Sequence, residues 1–215
     1  MTENGVRVVG IQLRLHPKEK YVPISNEYTA IENEYPCYYK ISSYVYKGKK
    51  YISVLYEIYY IFNAAIGLNG LMPTDENLGA HEKDIERVVI LHDVDTKAPV
   101  WLFVSGHAQE GSWHKFDECE FAPENRVVIY AALGSHRHSV TPGVKWRIFG
   151  FANDYCSRNG KHLNLTLHED NSIGFTIYNK ELLDTTFRAF FYPLFALRLD
   201  VWKAQQQVEE SRMNP

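Results

Sequence analysis

Cysteine is scarce: Cys37, Cys119 and Cys156 are an odd, widely spread set. They make no CxxC zinc pattern and no disulfide framework, which points to a reducing compartment. A basic excess is absent too, with 23 Lys and Arg against 26 Asp and Glu and a net charge of -3. That excludes the electrostatic footprint of a nucleic-acid binder. No uncharged stretch is long enough to span a bilayer; the closest, Phe187 to Trp202, carries Arg188, Arg198 and Asp200. The N-terminus lacks a basic start followed by an apolar run and a small-residue cleavage site, so no signal peptide is expected and the protein is placed inside the cell. The sequon Asn164-Leu-Thr166 is then read as chance. No Gly-x-Ser-x-Gly elbow, P-loop or dinucleotide fingerprint occurs, and no internal repeat.

Aromatic residues are abundant: 15 Tyr, 11 Phe and 4 Trp, within a chain that is 45% hydrophobic. This suits a sizeable core and favours strands. Val6 to Leu15 reads as a first strand. Cys37 to Tyr46 and Tyr51 to Phe62 flank Lys47-Gly-Lys-Lys50, which is a hairpin pattern. The second of these runs is apolar on both parities, as in a strand buried on both faces. Glu86 to His92, Val100 to Ser105, Arg126 to Leu133, Lys145 to Phe151, Leu163 to Leu167 and Ile173 to Tyr178 complete the set. Gly106 to Phe121 reads as a polar excursion. From Leu182 to Glu210 the apolar residues recur at helical steps, interrupted by Pro193. The expected architecture is mainly β: an antiparallel β-sandwich over residues 1–180, with a C-terminal helical arm and tail over 181–215 packed on it.

The densest group of chemically capable residues is His81, Asp84 and Glu86 in Gly79-Ala-His-Glu-Lys-Asp-Ile-Glu-Arg87. In an extended chain Asp84 and Glu86 share one side, because side chains alternate. Two carboxylates with an imidazole make a hard-cation site or an acid/base pair; a strand entry with solvated charges has the same composition. His136 and His138, flanking Arg137, read as a solvated turn, with an anionic headgroup as the sharper alternative. Asp93 and Asp95, beside His92, read as turn residues, and so does Asn153-Asp154.

The order of motifs is more specific than any one of them. Tyr59-Tyr60-Ile-Phe62-Asn63 precedes the His81 stretch; Val104-Ser-Gly-His107, Gly111-Ser-Trp113, Val128-Ile-Tyr-Ala-Ala-Leu-Gly-Ser-His136, Pro142-Gly143 and Asn153-Asp154 follow. This order, over residues 51–155, resembles the plant and fungal family named after the vacuolar protein sorting-associated protein sixty-two. It is similar, more remotely, to the necrosis- and ethylene-inducing toxin-like proteins, whose signature reads Gly-His-Arg-His-Asp-Trp-Glu. The toxin resemblance implies a β-sandwich with a divalent cation in an acidic cavity, and His81, Asp84 and Glu86 match its His-x-x-Asp-x-Glu spacing. It also implies an aspartate upstream, where this chain has Pro73; Asp75 or Glu76 is the substitute. His107 and Asp154 become cavity-lining candidates by resemblance, and so does His136, whose Ala-Leu-Gly-Ser-His motif resembles that of the vacuolar sorting-associated family. Lys83 and Ile85 stand where the signature has His and Trp.

The function expected is a divalent-cation-binding β-sandwich, with calcium, magnesium or manganese on His81, Asp84 and Glu86, recognising a glycan or lipid headgroup. The alternative is a structural or assembly component that keeps the sandwich, engages a protein partner through its tyrosines and has lost the chemistry. A metal-dependent hydrolase ranks third, since no residue identifies a scissile bond.

Overall fold

Lys47 and Gly48 reverse the chain in a two-residue turn, with φ of 49° and 76°. Positive φ at both central positions is the turn geometry whose twist matches a β-hairpin. The strands that it joins are long: β2 (Pro36–Tyr46) and β3 (Lys49–Asn63) pair from Tyr46↔Lys49 out to Tyr38↔Glu57. The computed structural model describes residues 5–64, 80–106, 111–145 and 153–174. β3 also pairs antiparallel with β4 (His81–Asp93), which pairs with β5 (Pro99–Ser105), itself edged by β6 (Gly111–Lys115).

A second sheet is built on β1 (Ile11–Arg14), which lies between β8 (Arg126–Ala131) and β12 (His162–Asn164); β7 (Phe121–Ala122) and β9 (His138–Ser139) pair with β8. β10 (Gly143–Lys145) and β11 (Asp154–Cys156) form a separate ladder, and β13 (Thr166–Glu169) adds to the free side of β2. The two large sheets face one another. Ile11, Leu13, Val127, Ile129 and Leu163 from one meet Val54, Tyr56, Ile58, Val88, Ile90 and Leu102 from the other in a shared core. Burying such side chains contributes roughly 1.5–3 kcal/mol each. The far face of the six-stranded sheet carries its own cluster around Leu55, Val89, Leu91 and Phe103, with the Tyr46 and Trp113 rings stacked 4.4 Å apart. β3 is therefore buried on both faces, as its composition requires.

The sandwich is not purely antiparallel. β1 runs parallel to β8, and β13 parallel to β2. Side-chain alternation dictates which face of a strand is buried, but not which strand lies beside it. The segment read as one strand, Leu163 to Leu167, is two. β12 joins one sheet and β13 the other, with Leu165 buried between them and its N–H donating to the Ile11 carbonyl at 3.0 Å. The polar excursion Gly106 to Phe121 contains edge strand β6 and a 3-10 turn at Phe116–Glu118. The helical arm over 181–215, the boundary before it and nearly all of the strands read at Lys145 to Phe151 and Ile173 to Tyr178 lie outside the described residues.

Candidate functional site

β4 begins at His81, earlier than its apolar run suggests, and its alternation decides which charges go inward. Asp84 and Glu86 share parity with Val88 and Ile90 and are 6% and 4% exposed; His81 has the opposite parity and is exposed. Among the described residues the His81 ring bonds its neighbour alone, with Nδ1 3.1 Å from the Glu82 carbonyl. The expected trio therefore separates. A three-residue offset in a strand puts two side chains on opposite faces.

Another imidazole takes the place beside Asp84. After β8 the chain turns through Leu133–Ser135, with Gly134 at φ 72° and His136 at φ 52°, in the left-handed region. The turn is anchored to the end of β3 by the Ala64 N–H, which donates to the Gly134 carbonyl at 2.9 Å. His136 is fully buried. Its ring stacks on Tyr60 at 3.9 Å and 3°, and Nδ1 lies 2.9 Å from Asp84 Oδ2. On its other side Nε2 is 3.6 Å from the carboxylate of Glu19, whose side chain is 2% exposed. Burial pushes the His136 pKa down, but bonding to Asp84 and Glu19 and their charges outweigh it and raise the pKa. The same contest at Glu19 ends lower. Burial raises its pKa, yet His136 and the backbone N–H groups of Tyr21 and Gly134 bring it to about 2.

Glu86 bonds the Ser105 hydroxyl, which also accepts from the Arg87 N–H at 2.7 Å. Burial first, then the charges of Asp84 and Asp154, hold its pKa well above the usual carboxylate range. Burial and these two charges thus favour the protonated form of Glu86. Asp154, at the start of β11, is fully buried; its carboxylate accepts from Ser135 Oγ at 2.6 Å and lies 3.3 Å from Arg137 Nη1. His138 sits on β9 with its pKa pushed by burial down to about 3, so it is neutral. The Tyr60 hydroxyl and both ring nitrogens of His138 are buried with no hydrogen bond of ordinary geometry among the described residues. Orphaned polar atoms of this kind are costly and mark a place where something else binds or where strain is held.

Asp84, Glu86, His136 and Asp154 are thus brought into one buried cluster at one end of the sandwich. His81 is not part of it, and His107, Asp75 and Glu76 lie outside the described residues. His136, His138 and Asp154 are interior, not solvated turn residues. The acidic surroundings oppose the anionic headgroup considered for the two histidines. Glu19, Tyr60 and Ser105 were not legible as members. Glu19 is 115 residues from Gly134, whose N–H it accepts at 2.6 Å. Among the described residues, no three His, Cys, Asp or Glu side chains are arranged to hold a metal ion. No helix among them is long and apolar enough to cross a membrane.

The fold and this cluster define a mixed-sheet β-sandwich with an acidic, histidine-bearing interior at one end. No family model matches the chain, and no curated protein matches it significantly. Solved structures similar to it include a mutant of NLPPya (16% identity, 74% of this chain and 68% of the other, TM-score 0.45). NLPPya in complex with glucosamine is similar at 16% identity over 79% of this chain and 77% of the other, with a TM-score of 0.44. Necrosis and Ethylene inducing Protein 2 from the causal agent of cocoa's Witches Broom disease is similar at 13% over 79% of each chain, with a TM-score of 0.41. The vacuolar sorting-associated family has no counterpart among these three structures.

Proposed function

We propose that the protein is a binding protein that takes a hard divalent cation at Asp84 and Glu86 and, through it, the hydroxyls of a glycan or lipid headgroup. The observation that supports this is the burial of two inward carboxylates on β4 within reach of a third, Asp154, in a cluster where the buried Tyr60 hydroxyl has no hydrogen-bond partner among the described residues. Carboxylate oxygens suit calcium, magnesium or manganese, and the neutral imidazole of His138 adds a nitrogen donor. Asp84 and Glu86 would hold the ion, which would displace the proton that burial favours on Glu86, with Asp154 and His138 beside them. The cation would supply charge compensation and coordination sites for ligand oxygen.

Titration calorimetry with calcium, magnesium and manganese tests the reading. Heat of binding and a raised melting temperature are expected for the wild type, and their loss in Asp84→Asn. Silence of the wild type toward all three ions would end it. A second reading is favoured by the charge state of the cluster. Burial favours the protonated form of Glu86, and the Glu19 and Asp84 carboxylates favour the charged form of His136, so the cluster offsets its own charge and the network serves only to tie the Gly134 turn to β4. On that reading Asp84→Asn lowers the melting temperature to the same extent with and without the ions.

A further inference from the structure

The inner face of β4 carries polar groups at both ends. Asp84 and Glu86 open the strand and His92 closes it, with Val88 and Ile90 between. At ~3.3 Å per residue, His92 stands about 26 Å from Asp84 along the strand. It lines a cavity of about 360 Å³ formed by the N-terminal segment before β1, the turn after β4 and the 3-10 turn at Pro123–Asn125. That volume lies within the range of small-molecule sites.

The cavity has three kinds of wall. Val8, Val9, Pro99, Phe116 and Phe121 make the apolar part. Phe116 and Phe121 meet edge to face at 5.3 Å, and Phe121 remains 42% exposed, a large aromatic surface left to water. Arg7 and Lys97 make the cationic part. Neither has a carboxylate partner among the described residues, whereas the cavity's acid, Glu124, is already held by Arg126 at 2.8 Å. His92 makes the third part and is 1% exposed. Its Nδ1 lies 3.0 Å from the Lys97 carbonyl, which can only accept, so Nδ1 carries the proton. Burial lowers the pKa and keeps the ring neutral. Nε2 is then a buried lone pair with no donor among the described residues. Among the described residues eight non-glycine positions have positive φ, and three of them (Lys97, Glu124 and Asn125) line this one cavity. Such conformations gather where the backbone is shaped to clamp a ligand.

We infer that this cavity is a second binding site, for a small aromatic or aliphatic anion that also bears a hydroxyl or N–H donor. The carboxylate or phosphate pairs with Arg7 and Lys97, the apolar body covers Phe121, and the donor satisfies His92 Nε2. The site is independent of the cation reading.

Calorimetry on the full chain with 4-hydroxyphenylacetate, phenylacetate, p-cresol and phenyl phosphate tests each part. The hydroxylated acid is expected to bind tightest, with p-cresol weaker by about tenfold for want of a charge. Arg7→Gln with Lys97→Gln should erase the gap between the acid and p-cresol. His92→Phe should erase the gap between the hydroxylated and plain acids. Asp84→Asn should change neither, which separates this site from the first. Phenyl phosphate decides whether phosphate as well as carboxylate is accepted. Melting temperatures within a few degrees of wild type show that the variants are folded. No heat with any of the anions, p-cresol binding as tightly as the acid, or binding untouched in the folded Arg7/Lys97 double variant would overturn the inference.

Discussion

Glu19, His136 and Asp84 form a line of alternating charge through a buried turn, and the pKa directions along it define a stability window. Glu19 titrates at about 2 in the fold against an ordinary 4.5, so its contribution is complete above 4.5 and is lost as pH falls toward 2. His136 titrates above its ordinary 6.5 in the fold, so its contribution is complete below 6.5 and is lost as pH rises through the raised value. Both are complete only between about 4.5 and 6.5. Melting temperature against pH is expected to plateau there and fall on both sides, and His136→Gln should flatten the alkaline side. An unaltered alkaline limb in that variant would contradict the charge assignment. A second residue, Tyr56, is fully buried, and its hydroxyl both donates to the Val9 carbonyl at 3.0 Å and accepts from the Val9 N–H at 3.1 Å. Tyr56→Phe leaves both backbone groups without that partner and should cost roughly 1–3 kcal/mol in urea unfolding. Legibility at this scale follows from strand parity. Asp84 and Glu86 share a face because they are two apart, and His81 leaves it because it is three away. Glu19 reaches the cluster only through long-range folding that no local pattern encodes.

Elements were legible where turns announce themselves. The Lys47-Gly48 reversal was readable because an apolar run stands on either side, and both predicted strands exist there. A Cβ at Gly48 would meet nothing within 4 Å, so the cost of Gly48→Ala is conformational alone. With φ at 76°, about 1 kcal/mol of destabilisation is expected. Lys47 shares the left-handed conformation without being suited to it. Lys47→Asn should raise stability by roughly 0.5 kcal/mol, since Asn-Gly is the preferred pair for such a turn. Denaturant midpoints of the two variants should therefore move in opposite directions; movement in the same direction would argue against this turn type. What no turn announces is the parallel pairing of β1 with β8. Val127 and Ile11 are neighbours in register across more than half of the chain's described length, and neither strand's composition names the other. Edge strand β6 was hidden for another reason. Its residues Gly111-Ser-Trp-His-Lys115 are mostly polar or half-exposed, as an edge permits, and so lack the apolar run that marks an inner strand.

At the scale of the whole molecule, three thiols sample the interior from different positions. Cys37 on β2 and Cys119 after the Phe116–Glu118 turn belong to the core between the sheets, and Cys156 on β11 belongs to a smaller cluster with Val128 and Tyr130. All three are free and buried. Burial raises every one of them: Cys119 to about 11, Cys156 to about 12, and Cys37 higher still. Disulfide reagents attack the thiolate and need access to it. At pH 8 the folded protein denies both, so reaction requires opening of the structure. If the two sheets and the β10–β11 ladder unfold as one unit, the three thiols should react together, at a urea midpoint equal to that of the far-ultraviolet circular dichroism. Native protein should release no colour with Ellman's reagent on the timescale in which the denatured protein reacts completely. Cys119 is the sensitive one. It is 9% exposed at the edge of its cluster, where its N–H donates to the Phe116 carbonyl at 3.2 Å. Should one thiol react early while the dichroism is unchanged, the Phe116 turn opens separately from the sandwich. That would also place the wall of the Arg7/Lys97 cavity on the least stable part of the fold. Simultaneous release would mean instead that the same cooperative core holds both ends of β4, with its acidic cluster at one and its cationic cavity at the other.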